Sequence, residues 1–208
     1  MPVLVAVVGA AGRMGRRLVA LINADKELEL IAAVEAAGCI ETGRDVGAVA
    51  GIGDVGVPIR EDFEGAMGVI IDFSVPEALP RTVAEAVRRR IPLVVGTTGL
   101  GPEHNAALEE ASAQIPLICA PNFSVGVNLL FKVAEQVAWT LGDEYDVEIV
   151  EVHHRYKTDA PSGTALGLAK AVAAAREVHL DKVASFGRHG RTGERPREQI
   201  GIHAVRAG

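Results

Sequence analysis

The chain has 208 residues, 49% of them apolar but only 4% aromatic, and a formal net charge of −6. That length fits one large domain or two small ones, with a core of Val, Ala, Leu and Ile as in α/β proteins with buried parallel strands. The acidic balance disfavours a nucleic-acid or anionic-membrane surface, no apolar run reaches a membrane span, and two cysteines without CxxC spacing indicate a reducing, cytoplasmic setting rather than a disulfide framework.

In chain order, residues 3–9 form a valine-rich run closed by glycine, too short for a helix and predicted as a strand. Residues 13–24 have helical spacing at Met14, Leu18, Leu21 and Ile22. Residues 28–35 read as a second strand, and 68–74 as a third. The Gly-rich stretch between them, 36–61, carries no assignable element. Pro76 suits a helix's first turn, and Pro80 should cost the following helix regularity. Residues 91–99 and 115–122 are two more strands with a helix between them. This alternation predicts right-handed crossovers and a doubly wound parallel sheet.

The pattern changes near residues 120–130. A long helix is expected after Asn122, with apolar positions at Val127, Leu130, Phe131, Ala134, Val137 and Ala138. Residues 145–154 alternate, with Val147, Ile149 and Glu151 on one face and Glu148, Val150 and Val152 on the other. A second helix follows Ser162, and a last strand runs to the chain's end with no partner strand after it, an unpaired edge. The expected division is a dinucleotide-binding domain over 1–124 and a second α+β domain over 125–208.

Two segments carry chemistry. The turn GAAGRMG (9–15) joins the first strand to the first helix, where glycines permit close backbone approach and helix amides face a pyrophosphate. Glu35 lies twenty residues beyond Gly15, where an acid accepts bonds from ribose hydroxyls. GTTG (96–99) and APNFS (120–124) end later strands, the edge at which such sheets hold ligands. In the second domain, HHRYK (153–157) precedes a Ser-Gly-Thr helix start. Histidine suits proton traffic near neutral pH, and a lysine beside helix amides suits an anionic substrate.

Together GAAGRMG, GTTG, APNFSVGVN and EVHHRYKTDAPSGTA, with the late GRHGRTGERPREQIGIHAVRAG, resemble the 4-hydroxy-tetrahydrodipicolinate (dihydrodipicolinate) reductase family across the whole chain. The resemblance implies a Rossmann-type domain and a substrate and oligomerisation domain. It implies reduction of a cyclic imine dicarboxylate with loss of water, in lysine and diaminopimelate biosynthesis. Gly9, Ala10, Ala11, Gly12, Arg13 and Met14 would bind NADH or NADPH, with Glu35 on the adenosine ribose. Gly96, Thr97, Thr98, Ala120, Pro121, Asn122 and Phe123 would line the nicotinamide side. His153 and Lys157 match the proton donors, and His154, Gly163 and Thr164 the substrate contacts. Closure about a hinge near 122–128 is expected. The family forms a homotetramer and continues beyond this chain's last residue, so the second domain is expected to be incomplete and its tetramer is in question.

Other readings are weaker. Adjacent His153 and His154 seldom share one zinc, and no further ligand lies at useful spacing, so no metal is expected. Cys119, inside an apolar strand, reads as a buried hydrophobe. The basic loop 188–197 is either near an acidic substrate or plain solvated surface. A non-catalytic NAD-binding regulatory module would keep the glycines and Glu35 without needing His153 and Lys157, and another amino-acid dehydrogenase would lack the HHxxK block. Ala36 after Glu35 leaves no adjacent cation for a 2′-phosphate; Arg44 is the nearest downstream candidate. NADH should therefore serve at least as well as NADPH.

Overall fold

The computed structural model describes all 208 residues, in two compact units, Met1–Pro121 and Asn122–Gly208. The first contains six parallel strands: β1 (Val3–Val8), β2 (Leu28–Val34), β3 (Ile59–Arg60), β4 (Val69–Asp72), β5 (Leu93–Val95) and β6 (Leu117–Cys119). Their order, β3-β2-β1-β4-β5-β6, reverses direction between β1 and β4. At such a switch point the crossovers diverge and leave a crevice beyond the strands' carboxyl ends. One face packs Val5, Val7, Ala33 and Ile59 under the first helix; the other packs Ile70, Leu93, Val95 and Leu79.

The helices of this unit are α1 (Arg13–Ala24), α2 (Val46–Ala50), α3 (Leu79–Arg89) and α4 (Pro102–Ser112). The buried stripe of α1 is Gly15, Val19 and Ile22, whereas Met14 and Leu21 are half exposed, so the face is rotated from the expected one. Gly15 sets that rotation, because the helix presses its backbone onto the turn there. Pro80 lies in the first turn of α3, where its missing amide costs nothing, and a 3₁₀ turn at Pro76–Ala78 leads into it.

The glycine-rich stretch without an assigned element holds α2 and β3. Asp45 caps α2 through the amides of Gly47 (2.8 Å) and Ala48 (3.3 Å), and also accepts from Val55 (3.0 Å) and Gly56 (2.7 Å). Val46, Val49 and Ile59 then reach the core. Cys119, expected to be buried, is exposed, because β6 is the sheet's outer strand.

The second unit packs α5 (Val125–Leu141) and α6 (Gly163–Ala175) on a sheet of β7 (Val147–His154), β8 (Ala184–Phe186) and β9 (Ile200–Ala207), with α7 (Leu180–Val183) leading into β8. Ser124 caps α5 and Ser162 caps α6, each side chain accepting a first-turn amide. Along α5, Ala138 is buried and Phe131 and Ala134 partly so, while Leu130 and Val137 stay half exposed. The alternation of β7 is as expected, with Glu151 buried. The last strand is not an edge. β9 lies in the middle, parallel to β7 along its whole length and to β8 over Ile200–Ile202. Residues 184–186 are too few to show a strand period, so the second partner escaped the sequence. No helix is long and apolar enough to cross a membrane.

Candidate active site

In the first unit, the turn after β1 needs its glycines for distinct reasons. Gly9 has φ +76°, and a Cβ there would lie 2.5 Å from the Phe73 carbonyl oxygen. A Cβ on Gly15 would overlap the Gly9 carbonyl and the Ala10 backbone, so α1 sits tight on the turn. Gly12, at the helix cap, offers no side chain to the first amides, and the first turn holds no acid. Those donors suit an anion. Glu35, just past β2, accepts from the Ala11 amide at 2.7 Å and from its neighbour Ala36 at 3.3 Å.

A cavity of about 300 Å³ opens beside this turn, lined by Gly9, Gly12, Glu35 and Ala36 on one side and by Phe63, Phe73, Ser74, Val75 and Arg81 on the other. The second group was missed in the sequence. Phe73 and Ser74 follow β4 next to β1, so the switch-point rule would have found them. Arg81 and Phe63 carried no such signal. The Arg81 guanidinium lies 5.8 Å from the Phe63 ring centroid and donates to Asp62 at 2.5 Å. Arg44 is bound by Glu41 and does not line the cavity. Turn, acid and cavity fit a dinucleotide's pyrophosphate and adenosine.

The GTTG segment is fixed by a polar knot. Asp72, fully buried, accepts from the Thr97 hydroxyl (2.6 Å) and from the Ser74 amide and hydroxyl (3.0 and 2.6 Å). The Thr97 hydroxyl is thus engaged by the protein, and Thr98 is exposed. A Cβ on Gly96 would collide with the Phe73 ring. Ala120 and Pro121 end the first unit, and Asn122 and Phe123 open the second, where Asn122 accepts from the Ser124 amide at 2.8 Å.

In the second unit, strand alternation brings Glu151 and His153 to one face of β7, and the parallel register sets Arg206 of β9 opposite His153. The Glu151 carboxylate meets His153 Nδ1 in a short bond. It also accepts from the Ser162 amide (3.0 Å) and from Arg206 Nη1 and Nη2 (3.0–3.1 Å). Burial would raise the Glu151 pKa, but the bonds from His153, Arg206 and Ser162 outweigh it and hold the carboxyl below its ordinary value. Lys157 Nζ donates to Asp159 at 2.8 Å, and that bond lowers the Asp159 pKa. Gly163 and Thr164 open α6 directly after the Ser162 cap. Alternation sends His154 to the opposite face; it is exposed, with its ring centroid 6.1 Å from that of Tyr156. The sequence did not flag Arg206. Glu151 and Arg206 tie His153, the start of α6 and the backbone of the Lys157 loop to one another. Such a set can bind a carboxylate and deliver a proton.

Sequence comparison decides the family. Profiles described as dihydrodipicolinate reductase, N-terminus and C-terminus, match residues 3–123 and 126–208. The chain belongs to the dihydrodipicolinate reductase family. A 4-hydroxy-tetrahydrodipicolinate reductase of Alkalilimnicola ehrlichii is 48% identical over 207 residues, 98% of this chain and 78% of that protein. One from Magnetococcus marinus is 47% identical, covering all of this chain and 79% of its own length. A solved dipicolinate-bound dihydrodipicolinate reductase from a Paenisporosarcina species superposes with TM-score 0.70 at 27% identity, over 99% of this chain and 79% of that one. Membership in this reductase family makes the chain an oxidoreductase and accounts for the Rossmann-type first unit.

Proposed function

We propose that the chain reduces (2S,4S)-4-hydroxy-2,3,4,5-tetrahydrodipicolinate to 2,3,4,5-tetrahydrodipicolinate, with loss of the 4-hydroxyl as water, in the cytoplasmic route to diaminopimelate and lysine. The observation that carries the reading is the second unit's cluster, His153 on a buried carboxylate with Lys157 and the uncrowded start of α6 in the same segment.

The reduced nicotinamide dinucleotide supplies the hydride. Gly9 to Met14 hold its pyrophosphate, Glu35 accepts from the adenosine ribose, and Gly96, Thr97, Thr98 and Ala120 to Phe123 border the nicotinamide. Lys157 and the amides of Gly163 and Thr164 bind the substrate's carboxylates, with His154 a further contact. As negative charge gathers on the ring nitrogen, His153 and Lys157 deliver the proton that keeps it neutral. Positioned acid–base groups contribute roughly 10²–10⁴ in rate.

His153→Gln should lower kcat about a hundredfold and leave the NADH dissociation constant unchanged, because it changes nothing in the glycine turn. Lys157→Ala should damage both kcat and substrate KM. Near-normal turnover by both variants would remove them from the proton-donor role.

NADH is expected to serve at least as well as NADPH. Glu35 and Ala36 at the cavity support this, as does the pairing of Arg81, the cation in that wall, with Asp62. Dissociation constants for both cofactors on one preparation test it; a clear NADPH preference would assign the 2′-phosphate to Arg81. The family's homotetramer is carried over as the assembly to test by light scattering.

A further inference from the structure

We infer that Glu151, clamped by Arg206, is the positioning residue that fixes which nitrogen of His153 faces the substrate. The inference rests on the proton-donor reading of His153 and goes beyond it to how the ring is set.

Two features converge. Glu151 is only 8% exposed, so its oxygens answer to protein donors rather than water. One oxygen takes the Ser162 amide and both terminal nitrogens of Arg206; the other takes Arg206 and His153 Nδ1. A carboxylate so surrounded by donors is held ionised and has no hydrogen of its own to give. The hydrogen in its bond to the ring must therefore sit on His153 Nδ1. That leaves Nε2 as the working nitrogen, carrying the transferable proton in the imidazolium and a lone pair in the neutral ring.

Arg206 also separates two possible roles for the acid. Its guanidinium offsets the Glu151 charge at close range, so the pair presents little net charge to the ring. What remains is direction: tautomer and ring angle. The same guanidinium reaches the carbonyl oxygens of Lys157 (3.3 Å) and Asp159 (2.5 Å). One side chain on β9 therefore holds both the orienter of His153 and the loop that carries Lys157. The charged groups bonded to the ring or to its partner are Glu151 on β7 and Arg206 on β9; Lys157 and Asp159, on the loop whose carbonyls Arg206 holds, are paired with each other.

Gln at position 151 keeps the shape but would turn its oxygen to Arg206 and its amide hydrogens to His153. The ring would then have to accept at Nδ1 and carry its hydrogen on Nε2. The test is a double-mutant cycle on the full chain with His153→Gln and Glu151→Gln, reading kcat and the NADH dissociation constant. Expected are a fall of about a hundredfold in kcat for Glu151→Gln, unchanged NADH affinity, and a double variant no slower than His153→Gln alone. A Glu151→Gln variant at full rate, or a double variant in which the two losses multiply, would overturn the inference. If His153→Gln itself keeps full rate, the proton-donor reading falls. Nitrogen-15 spectroscopy of the unsubstituted chain still decides the positioning and needs no folded variant. At alkaline pH the neutral His153 should be the Nδ1–H tautomer, the less common one of a free histidine; the Nε2–H form would contradict the assignment.

Discussion

Gly15 and Asp45 each carry a requirement that a single substitution exposes. A Cβ at Gly15 meets backbone atoms of Gly9 and Ala10, which cannot swing aside as a side chain would. Gly15→Ala should therefore cost about 1–3 kcal/mol in folding stability and, by pushing α1 off the turn, weaken NADH binding. Denaturant unfolding and cofactor titration on the same variant check both; normal values would mean that the helix can shift freely. Asp45 gathers four amides from α2 and the Val55–Gly56 loop. Those bonds, the Val55 amide foremost, lower its pKa against the opposing effect of burial. Asp45→Ala should lower the melting temperature and speed amide exchange at Val55 and Gly56, since both donors lose their acceptor.

The basic loop that precedes β9 is tied down element to element. Arg188 and Arg195 both reach Glu148 on β7 (2.7 and 2.9 Å), and His203 on β9 reaches it at 2.7 Å. Arg195 also bonds Asp146 at 2.7 Å, so these two arginines serve as clasps across the sheet. The hydrogen bonds from Arg188 are the largest cause that holds Glu148 near a pKa of about 2, against an ordinary 4.5. Because the folded value is depressed, the clasp's contribution is fully present above pH 4.5 and is lost as pH falls through about 2. Glu148→Gln should be less stable than the parent at neutral pH, and the difference should close over that window. Added salt should shrink it, since the groups are partly exposed. A constant difference down to pH 2 would show that the lost bonds act without the charge.

Legibility followed the length of each pattern. The six-residue run of β1 and the eight-residue alternation of β7 were plain from sequence, as were the glycine turn and Glu35. β8 and β3, at three and two residues, are set by pairing with distant strands, so no local period announces them. Arg206 escaped for the same reason. It is one cation in a strand, and only the register with β7 places it against His153 and Glu151.

At the scale of the whole molecule, the two units have separate cores. NADH at a hundred times its dissociation constant should stabilise the unit that binds it by about 2.7 kcal/mol, seen as a rise in melting temperature that Gly15→Ala diminishes. His153→Gln should retain that rise in full, because the substitution leaves the glycine turn of the other unit untouched. The chain spans 78% of the length of its Alkalilimnicola ehrlichii relative, and turnover by this chain can be measured directly. The deciding measurement supplies NADH and the freshly cyclised condensation product of pyruvate and aspartate semialdehyde, and follows the near-ultraviolet absorbance of the reduced nicotinamide. Steady loss of that absorbance, one NADH per tetrahydrodipicolinate formed, is the expected result. NADH that binds but is never oxidised would instead make the chain a nucleotide-binding module and contradict the reductase assignment.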